Sequence, residues 1–178
     1  MSNSFRVGAN VQDTTQEEVL LSCVDRIRAE IPQFDNEQTC FVSDTPWPMI
    51  ETETDTFCTV SPATASFDDA MEEGAGGYGI VEQSILQVSV FLRISTDRID
   101  RTINELTEAS HGLLVLKRAV LRALAGRNLY RRDDPTIPLL HDHLKPRQAM
   151  HPPSKSHDDD FTSFSISFLA PFCWDLSE

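Results

Sequence analysis

The chain has 178 residues, 40% of them hydrophobic, and a formal net charge of −13. That balance argues against a protein that grips nucleic acid through its phosphates, which needs clustered Lys and Arg. No apolar run approaches the ~20 residues that span a bilayer. The length suits one domain with a proper core, and ten prolines point to substantial irregular segments. The N-terminal stretch MSNSFRVGANVQDTTQEE has no apolar signal-peptide core, so the expectation is a soluble protein made in a cytoplasm. Cys23, Cys40, Cys58 and Cys173 lack C-x-x-C spacing and are expected to be reduced, buried thiols rather than zinc ligands.

In chain order, Thr14 and Thr15 precede Glu17 and Glu18 by three residues, so a capping box occurs twice in overlap. Leu20, Cys23, Val24, Ile27 and Ile31 then recur at helical spacing until Pro32, which predicts a helix over 15–31. QTCFVS (38–43) reads as a short strand, DTPWPM as a stiff extended piece, and FCTV (57–60) as a second short strand. Residues 61–79 read as a long acidic, glycine-rich loop.

Within that loop Gly74, Gly76 and Gly79 have the G-x-G-x-x-G spacing of a dinucleotide-binding turn. A phosphate cradle follows a strand and opens a helix. Here four carboxylates precede the glycines, and Leu86, Val88, Val90, Leu92 and Ile94 alternate after them with Gln87, Ser89, Phe91 and Arg93. That period of two predicts a half-buried strand over 83–95, so the glycines form a loop tip and no cofactor is expected.

A longer helix follows, capped by Ser95, Thr96 or Asp97. Ile99, Ile103, Leu106, Leu113, Val120 and Leu124 form its apolar stripe, Gly112 is a point of interruption, and Gly126 sits at its C-terminal stop. Arg98, Arg101, Lys117, Arg118, Arg122 and Arg127 decorate its exposed side. Residues 128–160 show no sustained period and read as a functional extension or a disordered arm, with TIPLLHDHL offering one short turn or strand. Phe164, Ile166 and Phe168 alternate with Ser163, Ser165 and Ser167 in a closing strand over about 162–169, which PFCWDL continues or caps. The sum is an α+β fold: a small, mostly antiparallel sheet with two helices packed on one face. Long loops or arms are expected at 44–56, 61–79 and 128–160.

The one catalytic candidate is the set His141, Asp142, His143, His151 and His157 with Asp158, Asp159 and Asp160, residue types that hold zinc, manganese or iron. The prolines around it leave no rigid scaffold, so no metal and no enzyme are expected. A metal-dependent hydrolase on this arm stays as the alternative from another class. No G-x-S-x-G elbow occurs, and His111 beside Gly112 reads as a helix-surface or interhelical residue. Trp47 between two prolines is either a partner anchor or a lid on its own core, and Trp174 is expected in the core.

Charge is unevenly spread. From Ala29 to Leu92 there is no Lys or Arg but twelve acids, whereas Arg93 to Lys155 carries twelve Lys or Arg against seven acids. Either the surface is merely uneven, or one face of the subunit is acidic and another basic. Two such faces attract between copies head to tail, and a rotation that closes gives a ring.

With its amphipathic first helix, weak early strands, strong central strand (Gln83 to Ile94), long basic helix (Asp97 to Ala125) and closing strand (Thr162 to Leu169), the element order resembles the tail terminator family of long-tailed bacteriophages, also called tail-completion or neck proteins. The resemblance covers residues 15–170 and is one of pattern, not of motif. It implies a structural virion protein, assembled in a host cytoplasm, forming a ring, usually a hexamer, that caps the tail tube and joins it to the head. Another neck or tail-tube station is the alternative. The implied partners are further copies, the tail tube protein and head-side connector or stopper proteins, with DNA passing through the lumen unbound and no membrane. On this reading Asp68, Asp69, Glu72 and Glu73 face the lumen or a partner. Trp47, Arg98, Arg101, Arg118, Arg122, Leu139 and Leu140 are then the candidate interface residues.

Overall fold

The computed structural model describes residues 15–45, 54–70, 79–93, 112–150 and 161–175, and within 67–70, 79–81, 161 and 173–175 the course of the backbone alone. Helix α1 runs Gln16–Glu30. Of the two overlapping boxes the second forms: Thr15 Oγ1 accepts from the Glu18 N–H at 3.2 Å and the Thr15 N–H donates to the Glu18 carboxylate at 3.0 Å. These two bonds satisfy donors that a helix start leaves unpaired. Val19, Leu20, Cys23, Val24 and Ile27 are buried along one face, each contributing about 1.5–3 kcal/mol of gross burial for the larger aliphatics. Ile31 closes α1, and Pro32 starts a 3₁₀ turn, Pro32–Phe34, that buries Phe34.

Five strands follow: β1 Cys40–Val42, β2 Thr56–Ala70, β3 Gly79–Arg93, β4 Lys145–Met150 and β5 Phe161–Asp175. They form one sheet in the order β1-β2-β3-β5-β4, antiparallel except for the β1–β2 pair. A second helix, α2, spans Leu113–Leu124 with Gly112 at its N-cap. The side chains of Cys58, Val60, Leu86, Val88, Val90, Leu92, Phe164, Ile166, Phe168 and Ala170 meet those of α1 and α2 in a single core. Both described helices therefore share one face of a mostly antiparallel sheet, as the α+β expectation required.

Several boundaries differ. Residues 61–70 are not loop: they continue β2 and pair with β3 as far as Ala70↔Gly79. Small, weakly patterned residues (SPATAS) hid the strand, because ladder hydrogen bonds come from the backbone and need no apolar alternation. β5 extends to Asp175, so PFCWDL continues the closing strand rather than capping it. Each of the three long strands has 15 residues, about 50 Å of ribbon at the usual rise. Gly74 and Gly76 lie outside the described residues, and Gly79 opens a strand.

The alternation in β3 has the right parity, yet its polar face is buried too. Gln87, Ser89 and Phe91 are covered, as are Phe57, Thr59, Ser61 and Ser165 on the neighbouring strands. Thr59, Ser89 and Ser165 stand in one row across β2, β3 and β5. Phe41, Phe57 and Phe91 stack beside that row, with ring centroids 6.0 and 4.6 Å apart. Gln87 Nε2 donates to Ser165 Oγ. Amide and hydroxyl side chains are thus packed where a half-exposed strand was expected.

Residues 128–144 are a docked hairpin, not an arm. Asp134 accepts from the Thr136 N–H and hydroxyl at 2.9 and 2.6 Å, setting the turn. Arg131 N–H to Ile137 O and Leu139 N–H to Leu129 O, at 3.0 and 2.8 Å, zip its sides. Leu129, Leu139, Leu140 and Leu144 enter the main core. Gly126, at φ +70°, provides the left-handed residue that ends α2 and leads into this hairpin.

Candidate functional site

The described surface offers three features on which an assembly could act: the solvent side of α2, the docked hairpin, and the edges of the sheet. Leu114, Arg118 and Arg122 recur every fourth residue on α2 and are exposed, Leu114 at 44%. Among the described residues no carboxylate pairs with Arg118, Arg122 or Arg127. Two like charges four apart cost a helix a few tenths of a kcal/mol, partly offset because Arg122 sits in the last turn where the dipole favours a cation. The lone subunit therefore gains little from this stripe.

The hairpin is clamped to α1. Arg131 reaches Glu18 at 3.0 Å, Arg132 reaches Asp25 at 2.6 Å, and Ser22 Oγ donates to the Tyr130 carbonyl at 2.8 Å. Glu18, Ser22 and Asp25 lie at i, i+4 and i+7 on one side of the helix. The Asn128 side chain donates to the Leu140 carbonyl at 3.0 Å and accepts from its N–H at 3.1 Å. Arg26 of α1 donates to the Ala123 carbonyl at 2.7 Å, satisfying one of the last carbonyls of α2. These cations are spent inside the subunit.

Sequence reasoning placed Leu139 and Leu140 on a partner surface. The structure buries them in their own subunit, at 4% and 3% exposure. The missed signal was local: the Asp-Pro-Thr turn at 134–136 with Leu129 and Leu139 flanking it, a hairpin pattern obscured by the surrounding charges. Asp68 and Asp69 lie near the end of β2. Trp47, Glu72, Glu73, Arg98, Arg101 and His111 lie outside the described residues, and so do His151, His157 and Asp158–Asp160.

His141 and His143 stand in a bend, where the Asp142 carboxylate is engaged by Lys145 Nζ at 2.5 Å and by His143 Nδ1. The Lys145 hydrogen bond, and then the His143 backbone N–H, hold the Asp142 carboxyl down at about 2. Among the described residues no group of three His, Cys, Asp or Glu side chains is arranged to hold a metal ion. Cys23, Cys40 and Cys58 are free, buried thiols gathered in the core between α1, β1 and β2. Burial raises the pKa of Cys23. For Cys58, burial and then a hydrogen bond with Cys40 do the same, so both stay protonated and unreactive. No helix among the described residues is long and apolar enough to cross a membrane.

The edges of the sheet differ from one another. β1 has three residues, and Arg28 donates twice to the Cys40 carbonyl, at 3.1 and 2.6 Å. β4 carries Lys145, Pro146 and Arg147, with a register shift between Pro146 and Gln148. β1 reaches β2 only through Cys58–Val60. Beyond it, Ala63, Thr64, Ala65 and Ser66 are exposed.

No protein-family model matches the chain, and no curated protein matches it. Among solved structures it is similar to a chain of the virion of a native gene transfer agent particle, with a TM-score of 0.48 and 16% identity over 93% of this chain and 98% of that one. It is also similar to a chain of the extended-state sheath/tube terminator of an extracellular contractile injection system, with a TM-score of 0.48 and 15% identity over 94% of this chain. It spans 58% of that second chain's length. Likeness of this degree transfers no residue roles.

Proposed function

We propose that this chain is a structural component of a phage-type tail, a terminator-like subunit whose copies close into a ring at the head–tail neck, with six as the expected number. One observation carries the reading: among the described residues the acidic and basic stretches hardly pair with each other. Among the described residues a single ion pair joins the stretch 29–92 to the stretch 93–155, Arg93 to Asp55 at 3.8 Å, and both partners are substantially exposed. A lone exposed pair of that length contributes little. Arg118, Arg122 and Arg127 remain available to a neighbour, and the acids at 68, 69, 72 and 73 remain in a segment without any cation of its own.

Opposite faces on identical copies favour head-to-tail contact, and carboxylates around a central hole would repel passing DNA rather than hold it. On this reading the protein is not an enzyme; its partners are further copies, the tail tube and head-side rings, and its place is the virion.

Charge reversal at two positions tests the proposal. Arg118→Glu with Arg122→Glu should shift the protein from ring to monomer in light scattering and negative-stain images. The stability of the subunit should stay within about 0.5 kcal/mol, as expected for exposed positions. Salt should act in the same direction, because the screening length falls from about 10 Å at 0.1 M to about 3 Å at 1 M. A wild-type protein that stays monomeric at all concentrations would sink the reading.

A further inference from the structure

We infer that the outer edge of β2, from Ala63 to Ala70, is a joint at which a second copy of this chain adds a strand to the sheet. The inference rests on the assembly reading above and names its contact. An exposed strand edge presents a row of unpaired N–H and C=O groups, and folded proteins blunt such edges with short strands, lysines, prolines, bulges or covering groups.

The edge strands β1 and β4 are blunted in those ways, and beyond β4 the outer side of β5 receives the His141 N–H at the Pro171 carbonyl. β1 is three residues long and its Cys40 carbonyl is capped by Arg28. β4 has Lys145, Pro146 and an unpaired Arg147 at its irregularity. On β2, Pro62 and the irregularity after it guard the start of the outer edge, but among the described residues the run Thr64–Ala70 has none of these. Past the irregularity between Pro62 and Thr64, the run Thr64–Ala70 stays in continuous register with β3, from Thr64↔Ile85 to Ala70↔Gly79. Ala63, Thr64, Ala65 and Ser66 are exposed, and among the described residues nothing pairs with their outer side.

Seven residues of straight edge is about 23 Å, longer than the usual strand and enough for a full ladder. Ala63, Thr64, Ala65 and Ser66 are small, so an incoming strand meets no steric barrier at that end of the edge.

The charges indicate a copy of the same chain as the occupant. The edge ends in Asp68 and Asp69, in a stretch with no Lys or Arg from Ala29 to Leu92. The same chain carries Arg118, Arg122 and Arg127 without a described carboxylate partner. Main-chain bonds supply the attachment, and the charges select the neighbour and its register.

The experiment is backbone hydrogen–deuterium exchange on the full chain, read by mass spectrometry at concentrations that bracket assembly, with sizing in parallel. Amides in 63–70 should exchange at least tenfold more slowly in the assembled protein than in the dilute monomer. Ala65→Lys, at an exposed site, should raise the dissociation constant at least tenfold while leaving the melting temperature of the monomer unchanged. An assembled protein with unprotected amides at 63–70, or one indifferent to Ala65→Lys, overturns this joint but leaves the ring reading standing. A protein that sizes as a monomer throughout overturns both.

Discussion

Leu140→Ala separates two roles for the segment after α2. Were Leu140 a partner anchor, its truncation would weaken assembly and leave the subunit intact. The structure places it in the core at 3% exposure, with both backbone polar groups bonded to the Asn128 amide. Removing about three carbons at ~0.8 kcal/mol each gives about 2.4 kcal/mol of lost transfer energy, and a residual cavity raises the cost to about 3 kcal/mol within the usual 2–5 range. For a chain of this size that lowers the melting temperature by about 6–12 °C. Asn128→Ala attacks the same docking from the polar side and should cost about 1–3 kcal/mol, because it leaves the Leu140 N–H and carbonyl poorly paired. Both are measured by thermal and urea unfolding followed by circular dichroism, at concentrations low enough that assembly does not contribute. A Leu140→Ala subunit with wild-type melting but lost assembly would refute the docked hairpin and restore the anchor.

Three further outcomes follow from individual contacts. The Asp142 carboxyl is depressed from 3.8 to about 2, so its contribution to stability is full above the ordinary value and is lost as pH falls through about 2. Asp142→Asn should therefore lower the urea midpoint at neutral pH, where that contribution is full, and converge with the wild type as pH falls to about 2. Thr15→Ala removes the side-chain acceptor from the first turn of α1 and should cost about 1 kcal/mol with a small loss of helical signal. Glu18→Gln keeps the capping box but removes the charge facing Arg131, whose side chain is 13% exposed. In a double-mutant cycle with Arg131→Met, a coupling of about 1 kcal/mol is expected, between exposed and buried pairs. A coupling near zero would show that the ion pair does not hold the hairpin to α1.

Sequence alone determined the elements whose signals are local. The capping box and 3.6-residue spacing marked α1. Gly126 marked the end of α2, and the strict alternation of Leu86–Leu92 and Phe164–Phe168 marked the two central strands and the face they bury. It also carried the partition of charge, since counting Lys, Arg, Asp and Glu along the chain needs no coordinates. Tertiary structure decided what local pattern does not encode. That 61–70 is strand follows from a neighbour, β3, offering a ladder to a segment with little apolar alternation. That Gln87, Ser89 and Thr59 are buried was invisible because amides and hydroxyls read as solvent-facing until a fold packs them. Arg131 and the Tyr130 carbonyl turned inward because residues over 100 positions earlier in α1, Glu18 and Ser22, supply their partners, and Leu139 and Leu140 entered the core with the hairpin that these contacts dock. That the outer side of β2 is open is likewise a property of pairing: only strand order shows that β1, ending at Val42, covers β2 no further than Val60 and leaves its next residues open. Short-range chemistry writes the elements, and long-range pairing decides which of their surfaces are left for another molecule.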